Sequence, residues 1–570
     1  MYYKWRKKEA ANPALVEQIS KSINVNPYLS EILVQRDIAD YDIAKSFFNP
    51  QKSDLHDPFL MKDMDLAIER IIQALDNNEN ILIYGDYDVD GTTSVSLVYT
   101  FLKTYTPNIN YYVPDRFKEG YGISVEGIAY AVEQKVDLMI ALDCGIRSID
   151  ITTLAKEKGI DMVICDHHLP GDTLPNAVAV LDPKRADCEY PFKELSGCGI
   201  GFKLIQAFAQ EKGLPFESIE DYLDLVSVSI ASDLVDIRGE NRVLAFYGLK
   251  KLNSAPRMGL QALIGEVPVG KNFTISDIVF TIGPKINAAG RIAHARNAVE
   301  LLVANDFYEA EKLTDVLHKN NDERKETDSG ITAEAIDRLD NDQQFAAKKS
   351  TVLYGDEWSK GVLGIVASRL VEQYYKPTIV FTHIDNKLTG SARSIKNFDI
   401  HTAIGRCGDL VEQFGGHMYA AGLTIKKENF EAFQTRFEEI AMAQLEKQEL
   451  VPEVEYDIEL PIDAINTKFV EILDRMEPFG PGNMMPVFRT NGFTKSFRSR
   501  LLKDKHLKFS LSNSRGDYYD VIGFSLGDKM EILNSGREFD ICYSLEYNVF
   551  RGERKIQLKL RDIKYSDEED

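Results

Sequence analysis

Four short apolar runs in the first third of the chain constrain its fold more than any other feature: NILIYG (80–85), VDLMIALD (136–143), IDMVICD (160–166) and AVAVLD (177–182). Each is rich in Val, Ile or Leu and is separated from the next by a stretch of helical pattern. Strands apolar on both faces and alternating with amphipathic helices specify a parallel sheet covered by helices. With 570 residues the chain is too long for one core, and about three to four domains are expected.

The remainder divides by pattern. Residues 1–60 read as an N-terminal segment of short helices and a loop, and 61–260 as the parallel-sheet domain. Residues 261–350 hold a small-residue bend followed by long charged helices, with no proline and a single glycine, Gly330, between Arg296 and Lys349. A second α/β unit covers 351–447, with TVLYG and PTIVFT as strands, and LEKQELVPEVEY marks its end. From 452 to 570 period-two alternation (HLKFSLSN, YYDVIGFS, FDICYSLEY, KIQLKLRDIKY) predicts a small antiparallel barrel of OB type.

No apolar run approaches the roughly 20 residues of a membrane span, and no signal-peptide pattern follows the basic start MYYKWRKK, so a cytoplasmic protein is expected. The six cysteines form no CxxC pair, which supports neither a zinc site nor a disulfide framework. A formal net charge of −22 weighs against a nucleic-acid partner. Much of the acid lies in the helical stretch near Asp315 to Asp342, however, and basic residues cluster elsewhere.

The chemistry concentrates at strand ends. In YGDYDVDGTTS, Asp86, Asp88 and Asp90 lie two apart ahead of Gly91, so an extended chain can turn all three carboxylates to one side. Like charges held that close need cations between them, and hard divalent ions suit a carboxylate cluster. A turn or helix cap is the plain alternative; an EF-hand fails for want of a closing glutamate. Asp143 ends one later strand, and Asp166, His167 and His168 end another. Asp233 follows a further apolar run in SIASDLVD. Sites in open α/β sheets gather at the carboxyl ends of strands. Carboxylates mixed with imidazole favour Mn²⁺, with Mg²⁺ the alternative.

DYDVDG, LDCG, DHH and ASDLVD, in this order and spacing, resemble the four motifs of the DHH phosphoesterase superfamily. Aspartate at position 86 is the form seen in the RecJ exonuclease family. The resemblance implies a two-metal site for phosphodiester hydrolysis, bridged by Asp143. Asp86 and Asp88 would complete one ion, and Asp90, His167 and Asp233 the other. His168 would face the substrate phosphate, with Asp166 supporting the histidines.

Further segments carry cations beside small residues, a pairing that suits phosphate contact. These are VPDRFKEGYG (Arg116), IGPKINAAGR (Lys285, Arg291), SARS (Ser391, Arg393) and GGHMYAAG (His417). They resemble the RecJ pattern, although Lys285 stands where the family usually has arginine. In the C-terminal region Arg498 and Lys505 lie in a basic run interleaved with Phe493, Phe497 and His506, as in OB-folds that hold single strands. The family implies a 5′-to-3′ exonuclease on single-stranded DNA that releases 5′-mononucleotides in repair and recombination. It also implies a single-stranded-DNA-binding protein and a helicase as partners, and the layout suits a monomer. Two glycine-bearing stretches imitate nucleotide loops and fail as such: GEVPVGKN (265–272) has Asn where a P-loop needs Ser or Thr, and SGCGIGF lacks GxGxxG spacing.

Overall fold

The computed structural model describes residues 2–265, 272–446, 450–550 and 552–568. Most of GEVPVGKN and part of the LEKQEL boundary segment (447–449) therefore lie outside the described residues. The chain forms two compact units: residues 4–290, 294–317 and 453–570 make the larger, and 1–3, 291–293 and 318–452 the smaller.

After a short strand, β1 (Lys4–Lys7), and four α-helices, the larger unit builds its parallel sheet. The strands are β2 (Ile81–Gly85), β3 (Ile109–Tyr112), β4 (Leu138–Leu142), β5 (Asp161–Cys165) and β6 (Ala179–Leu181), in the order β3-β2-β4-β5-β6. All pairings are parallel. β2 and β4 are buried along their whole length, as their apolar sequences require. Because the sheet starts in its interior and grows both ways, the crossovers reverse between β2 and β4. That reversal opens a crevice at the carboxyl ends, where α/β proteins place their ligands. Asp86 and Asp143 follow those two strands.

The smaller unit carries a mixed sheet: β7 (Thr351–Gly355), β8 (Thr378–Ile384), β9 (Lys387–Arg393), β10 (Val411–His417) and β11 (Ala420–Lys426), in the order β10-β11-β9-β8-β7. TVLYG and PTIVFT form strands as expected, and Ser391 to Arg393 lie on β9 while GGHMYAAG forms the β10–β11 hairpin, strands that the sequence pattern did not reveal. Their Gly and Ala content hid the period-two pattern. A single helix of 34 residues, Phe307–Asp340, provides the long charged stretch.

The IGPKINAAGR segment is helical (Gly283–Ile292), where a bend was expected. It follows a π-helical turn, Ile278–Ile282. The small residues serve packing: a Cβ on Gly290 would lie 2.9 Å from the Tyr87 carbonyl oxygen, and Ala288 and Ala289 are fully buried.

Back in the larger unit, β12 (Glu453–Tyr456) pairs in parallel with β1, a pairing the sequence reading did not anticipate. The C-terminal sheet comprises β13 (Ile458–Glu459), β14 (Phe488–Phe493), β15 (Phe497–Leu502), β16 (His506–Ser512), β17 (Tyr518–Gly523), β18 (Phe539–Phe550) and β19 (Glu553–Tyr565). Its order is β13-β14-β18-β19-β17-β16-β15, antiparallel except at β13–β14 and β17–β19. The N-terminal helices contribute Ile19, Leu29, Ile32 and Leu33 to the same core as Phe488, Phe509 and Tyr543. No helix among the described residues is long and apolar enough to cross a membrane.

Candidate metal centre and nucleic-acid interface

At the carboxyl end of the parallel sheet, His167 Nε2 lies 3.2 Å from Asp143 Oδ1, 3.6 Å from Asp233 Oδ2 and 3.7 Å from Asp90 Oδ2. Two overlapping groups have the spacing of metal ligands: Asp143, His167 and His168, and Asp90, His167 and Asp233. Asp86 and Asp88 belong to neither group, though their charges act on Asp143.

Local structure fixes each group. Asp88 caps the helix Val89–Leu102, accepting from the Gly91 N–H at 3.0 Å. Asp90 accepts from the Gly197 and Cys198 N–H groups at 2.7 and 2.8 Å, at the start of the helix Gly197–Glu211, and from the Ser229 hydroxyl at 2.6 Å. Both carboxylates thus sit at positive helix ends. Asp233 instead follows the last turn of the helix Leu223–Ser232, at its negative end. Asp143 adopts a left-handed backbone (φ 59°) while its N–H still reaches the Cys165 carbonyl. Such strain in a non-glycine residue persists where the surrounding structure over-determines it, as functional sites do.

The donor set fits divalent cations. Asp86 Oδ2, Asp143 Oδ1 and His167 Nε2 are buried without a hydrogen-bond partner, an arrangement costly enough to need explanation. The other His167 nitrogen is taken up by the Leu195 carbonyl at 3.1 Å, so Nε2 is the atom turned toward the carboxylates. Burial pushes the Asp86, Asp88 and Asp143 carboxyls above their usual range, and neighbouring carboxylates push them further. Burial with the Asp90 and Asp88 charges lifts Asp233 to about 8. Four acids whose ionisation is suppressed by burial and by neighbouring charge form a site that a cation completes.

Asp166 behaves differently. Burial opposes its ionisation, yet the His168 ring and the Ile146 N–H hold its carboxyl below the usual range. Its Oδ1 lies 2.7 Å from His168 Nδ1. Burial likewise works against protonation of His168, but the Asp166 partnership raises its pKa.

Metal and protons therefore compete here. In the metal-free protein the raised carboxyls favour folding at low pH, and that contribution is lost as pH rises through their folded pKa. For Asp233 the window runs from about 4 to about 8. The stabilisation on adding Mn²⁺ should accordingly grow between about pH 6 and pH 8, by at most about 1.4 kcal/mol per pH unit for each proton displaced, and the Tm gain should grow with it. Calorimetry with and without chelator checks this. A gain that is flat or falls with pH would remove the carboxylate assignment.

Of the expected phosphate contacts, Arg116 stands by the centre: its guanidinium lies 4.9 Å over the Tyr87 ring and its charge acts on Asp86. Lys285 donates to the Leu263 carbonyl at 2.9 Å. In the smaller unit Arg291 donates to the Gly361 carbonyl. There Ala420 pairs with Arg393 on one side and His417 on the other, which makes a cross-strand row Arg393–Ala420–His417. Arg393 also donates to the Ser391 hydroxyl at 3.2 Å. A Cβ on Gly364, in the first turn of the helix Leu363–Tyr374, would meet the Arg393 guanidinium at 2.7 Å. On the C-terminal sheet Arg498 is exposed at an irregularity of the β15–β16 pairing, with φ 55°, and Lys505 is exposed in the β15–β16 turn.

The sequence reading missed three contributors: Tyr121, Ser229 and the backbone of Gly197 and Cys198. SGCGIGF is no dinucleotide loop, but it walls the metal centre. Ser ahead of small residues, a helix N-cap signature, was the available signal.

A parallel-sheet domain with this carboxylate–histidine centre defines a DHH-type phosphoesterase. The DHH family, N-terminal domain model matches residues 80–230, the DHHA1 domain model 342–443, and the RecJ OB domain model 456–562. The chain is 35% identical over 559 residues to the single-stranded-DNA-specific exonuclease RecJ of Bacillus subtilis, covering 97% of this chain and 70% of that one. It is 34% identical to that of Haemophilus influenzae, covering 96% and 98%. The crystal structure of RecJ in complex with Mn²⁺ from Thermus thermophilus superposes with a TM-score of 0.84 at 26% identity, covering 100% of this chain and 80% of that one. A crystal structure of exonuclease RecJ bound to manganese gives a TM-score of 0.59 at 30% identity, over 68% and 98%. The chain belongs to the RecJ family.

Proposed function

We propose that this protein is a metal-dependent exonuclease that removes nucleotides from the 5′ end of single-stranded DNA and releases 5′-mononucleotides. The observation that carries the chemistry is the convergence of Asp86 Oδ2, Asp143 Oδ1 and His167 Nε2, all buried and unpartnered, on one crevice. The substrate reading draws on RecJ relatives named as specific for single-stranded DNA. Two Mn²⁺ ions, with Mg²⁺ as the alternative, would be held by Asp86, Asp88, Asp90, Asp143, His167 and Asp233, with Asp143 shared between them. When bound, they supply Lewis-acid stabilisation of charge on the phosphoryl group and activate water for in-line attack.

The chain's own residues do the rest. Two helix N–H groups and Ser229 lock the Asp90 carboxylate, so it needs no rearrangement when charge develops. Asp166 accepts from His168 Nδ1–H and raises the pKa of the ring, and in the doubly protonated imidazolium Nε2–H donates to a phosphate oxygen. Arg116, Lys285, Arg291, Ser391, Arg393 and His417 would hold phosphates, and Arg498 and Lys505 the strand further along. A cytoplasmic setting in DNA repair and recombination, with a single-stranded-DNA-binding protein and a helicase as partners, completes the reading.

The test is digestion of one long single strand labelled separately at its 5′ and 3′ ends, with Mn²⁺ and with chelator. Immediate release of the 5′ label as mononucleotide, abolished by chelator, is expected. An intact strand alongside cleavage of dinucleotides or cyclic dinucleotides would instead assign the enzyme to small substrates. Replacing Arg498 and Lys505 together by Ala should weaken long strands and lower the salt slope by about 1.4, roughly 0.7 per phosphate contact. Hydrolysis of short oligomers should be unchanged; an unaltered slope would remove both residues from the interface.

A further inference from the structure

Tyr121 belongs to none of the ligand or phosphate sets above, yet it touches the centre directly. It lies in the segment Glu119-Gly120-Tyr121-Gly122, and both flanking glycines are left-handed, with φ +85° and +87°. Nothing comes within 4 Å of a Cβ built on either glycine, so backbone conformation, not crowding, is what requires glycine there. The two turns send the hydroxyl inward and leave the residue 56% exposed.

The hydroxyl lies 3.1 Å from the Asp143 carbonyl oxygen, to which it donates. It is also 3.2 Å from His168 Nδ1 and 3.1 Å from Nε2. A phenol has one proton, and the carbonyl takes it, so toward His168 the oxygen can only accept. Asp166 Oδ1 already engages Nδ1 at 2.7 Å. A hydroxyl almost equidistant from the two nitrogens lies over the imidazole, out of line with either ring N–H, so it bears on the ring as a whole. The imidazole is gripped from two sides. The Tyr121 ring in turn meets Tyr87 edge-on at 6.5 Å, and the Arg116 guanidinium lies 4.9 Å over the Tyr87 ring. All of these residues belong to the larger unit.

We propose that Tyr121 is a positioning residue: its hydroxyl sets the rotation of the His168 ring, and its exposed face is the platform against which the terminal nucleoside packs. The platform role rests on the nuclease reading; the grip on His168 does not.

Two arms test it, both on the full chain. In the first, metal-free protein labelled with ¹⁵N-histidine is compared as wild type, Tyr121→Phe and Tyr87→Phe. The His168 ring-nitrogen signals should move in Tyr121→Phe and stay in Tyr87→Phe. Unmoved signals in Tyr121→Phe overturn the positioning role whatever the substrate proves to be.

The second arm follows digestion of 5′-phosphorylated dT20 with Mn²⁺, beside wild type in the same run. Tyr121→Phe should lower kcat about 10-fold, less than the roughly 100-fold minimum for losing a positioned acid–base group outright because His168 itself remains, and leave KM within about 2-fold. In a His168→Gln background the same change should cost nothing more, because the two act as one unit. Tyr121→Ala should in addition raise KM at least about 5-fold through lost stacking. Mn²⁺ affinity by calorimetry should match wild type in each Tyr121 variant. Additive losses with His168→Gln, or an unchanged KM in Tyr121→Ala, would overturn the corresponding half of the proposal. Failure of wild type to digest the strand overturns the nuclease reading and the platform with it, while the nitrogen signals still decide the grip.

Discussion

Replacing Asp143 with asparagine should abolish hydrolysis of single-stranded DNA, by about 1000-fold or more, and yet raise the Tm of the metal-free protein. The loss follows from position. Asp143 Oδ1 is the carboxylate oxygen nearest His167 Nε2, at 3.2 Å, and has no protein partner. Removing the charge that would join two cations forfeits several kcal/mol of transition-state stabilisation, and about 4 kcal/mol corresponds to 1000-fold. The gain follows from electrostatics. Burial and the charges of Asp90, Asp88, Asp233 and Asp86 all oppose ionisation of Asp143, so a neutral amide relieves the metal-free fold.

Asparagine is the cleaner variant because residue 143 sits at φ 59°, a conformation that asparagine tolerates and alanine does not. Steady-state digestion and a melting curve in chelator test both halves. An active variant would remove the bridging assignment, and an unchanged or lower Tm would mean the carboxylates do not repel as placed. Binding of long strands should survive, since the C-terminal sheet is untouched.

The legible parts of this molecule were those where chemistry and backbone pattern coincide in sequence. The strands leading to Asp86, Asp143 and Asp166 could be read because a strand buried on both faces is continuously apolar. The aspartate that ends such a run then stands out. The long helix Phe307–Asp340 was legible from its unbroken charge and lack of proline. What escaped depends on contacts between distant segments. The N-terminal strand Lys4–Lys7 pairs with Glu453–Tyr456, and nothing within four residues could announce a partner some 450 positions away. The β10–β11 hairpin was hidden because Gly415, Gly416 and Gly422 carry no side chains to alternate. Tyr121 escaped for the opposite reason: its motif, EGYG, reads as a flexible turn, and only the fold brings it to His168.

SGCGIGF shows how a correct exclusion can still miss a role, and Gly197 carries the second large effect. A Cβ built at residue 197 would fall 2.7 Å from both Cβ and Oδ1 of Asp143, closer than real atoms approach. Asp143 must move, since residue 197 is the first of its helix and donates its N–H to Asp90 at 2.7 Å. Gly197→Ala should therefore lower activity about 100-fold, the cost of misplacing a reacting group by about 1 Å, although no ligand is altered. Mn²⁺ affinity should fall with it. Stability should change by less than about 1 kcal/mol, because the helix gains from alanine roughly what the displaced carboxylate costs. Gly201→Ala is the control: it lies in the same helix, its Cβ would meet only Val98 Cγ2 at 3.3 Å and Leu142 Cδ2 at 3.6 Å, and it should keep activity within about 3-fold. Equal activity in the two variants would show that the helix start does not set the position of Asp143. A selective loss in Gly197→Ala would show that the centre depends on the space left by a missing methyl as much as on the carboxylates themselves.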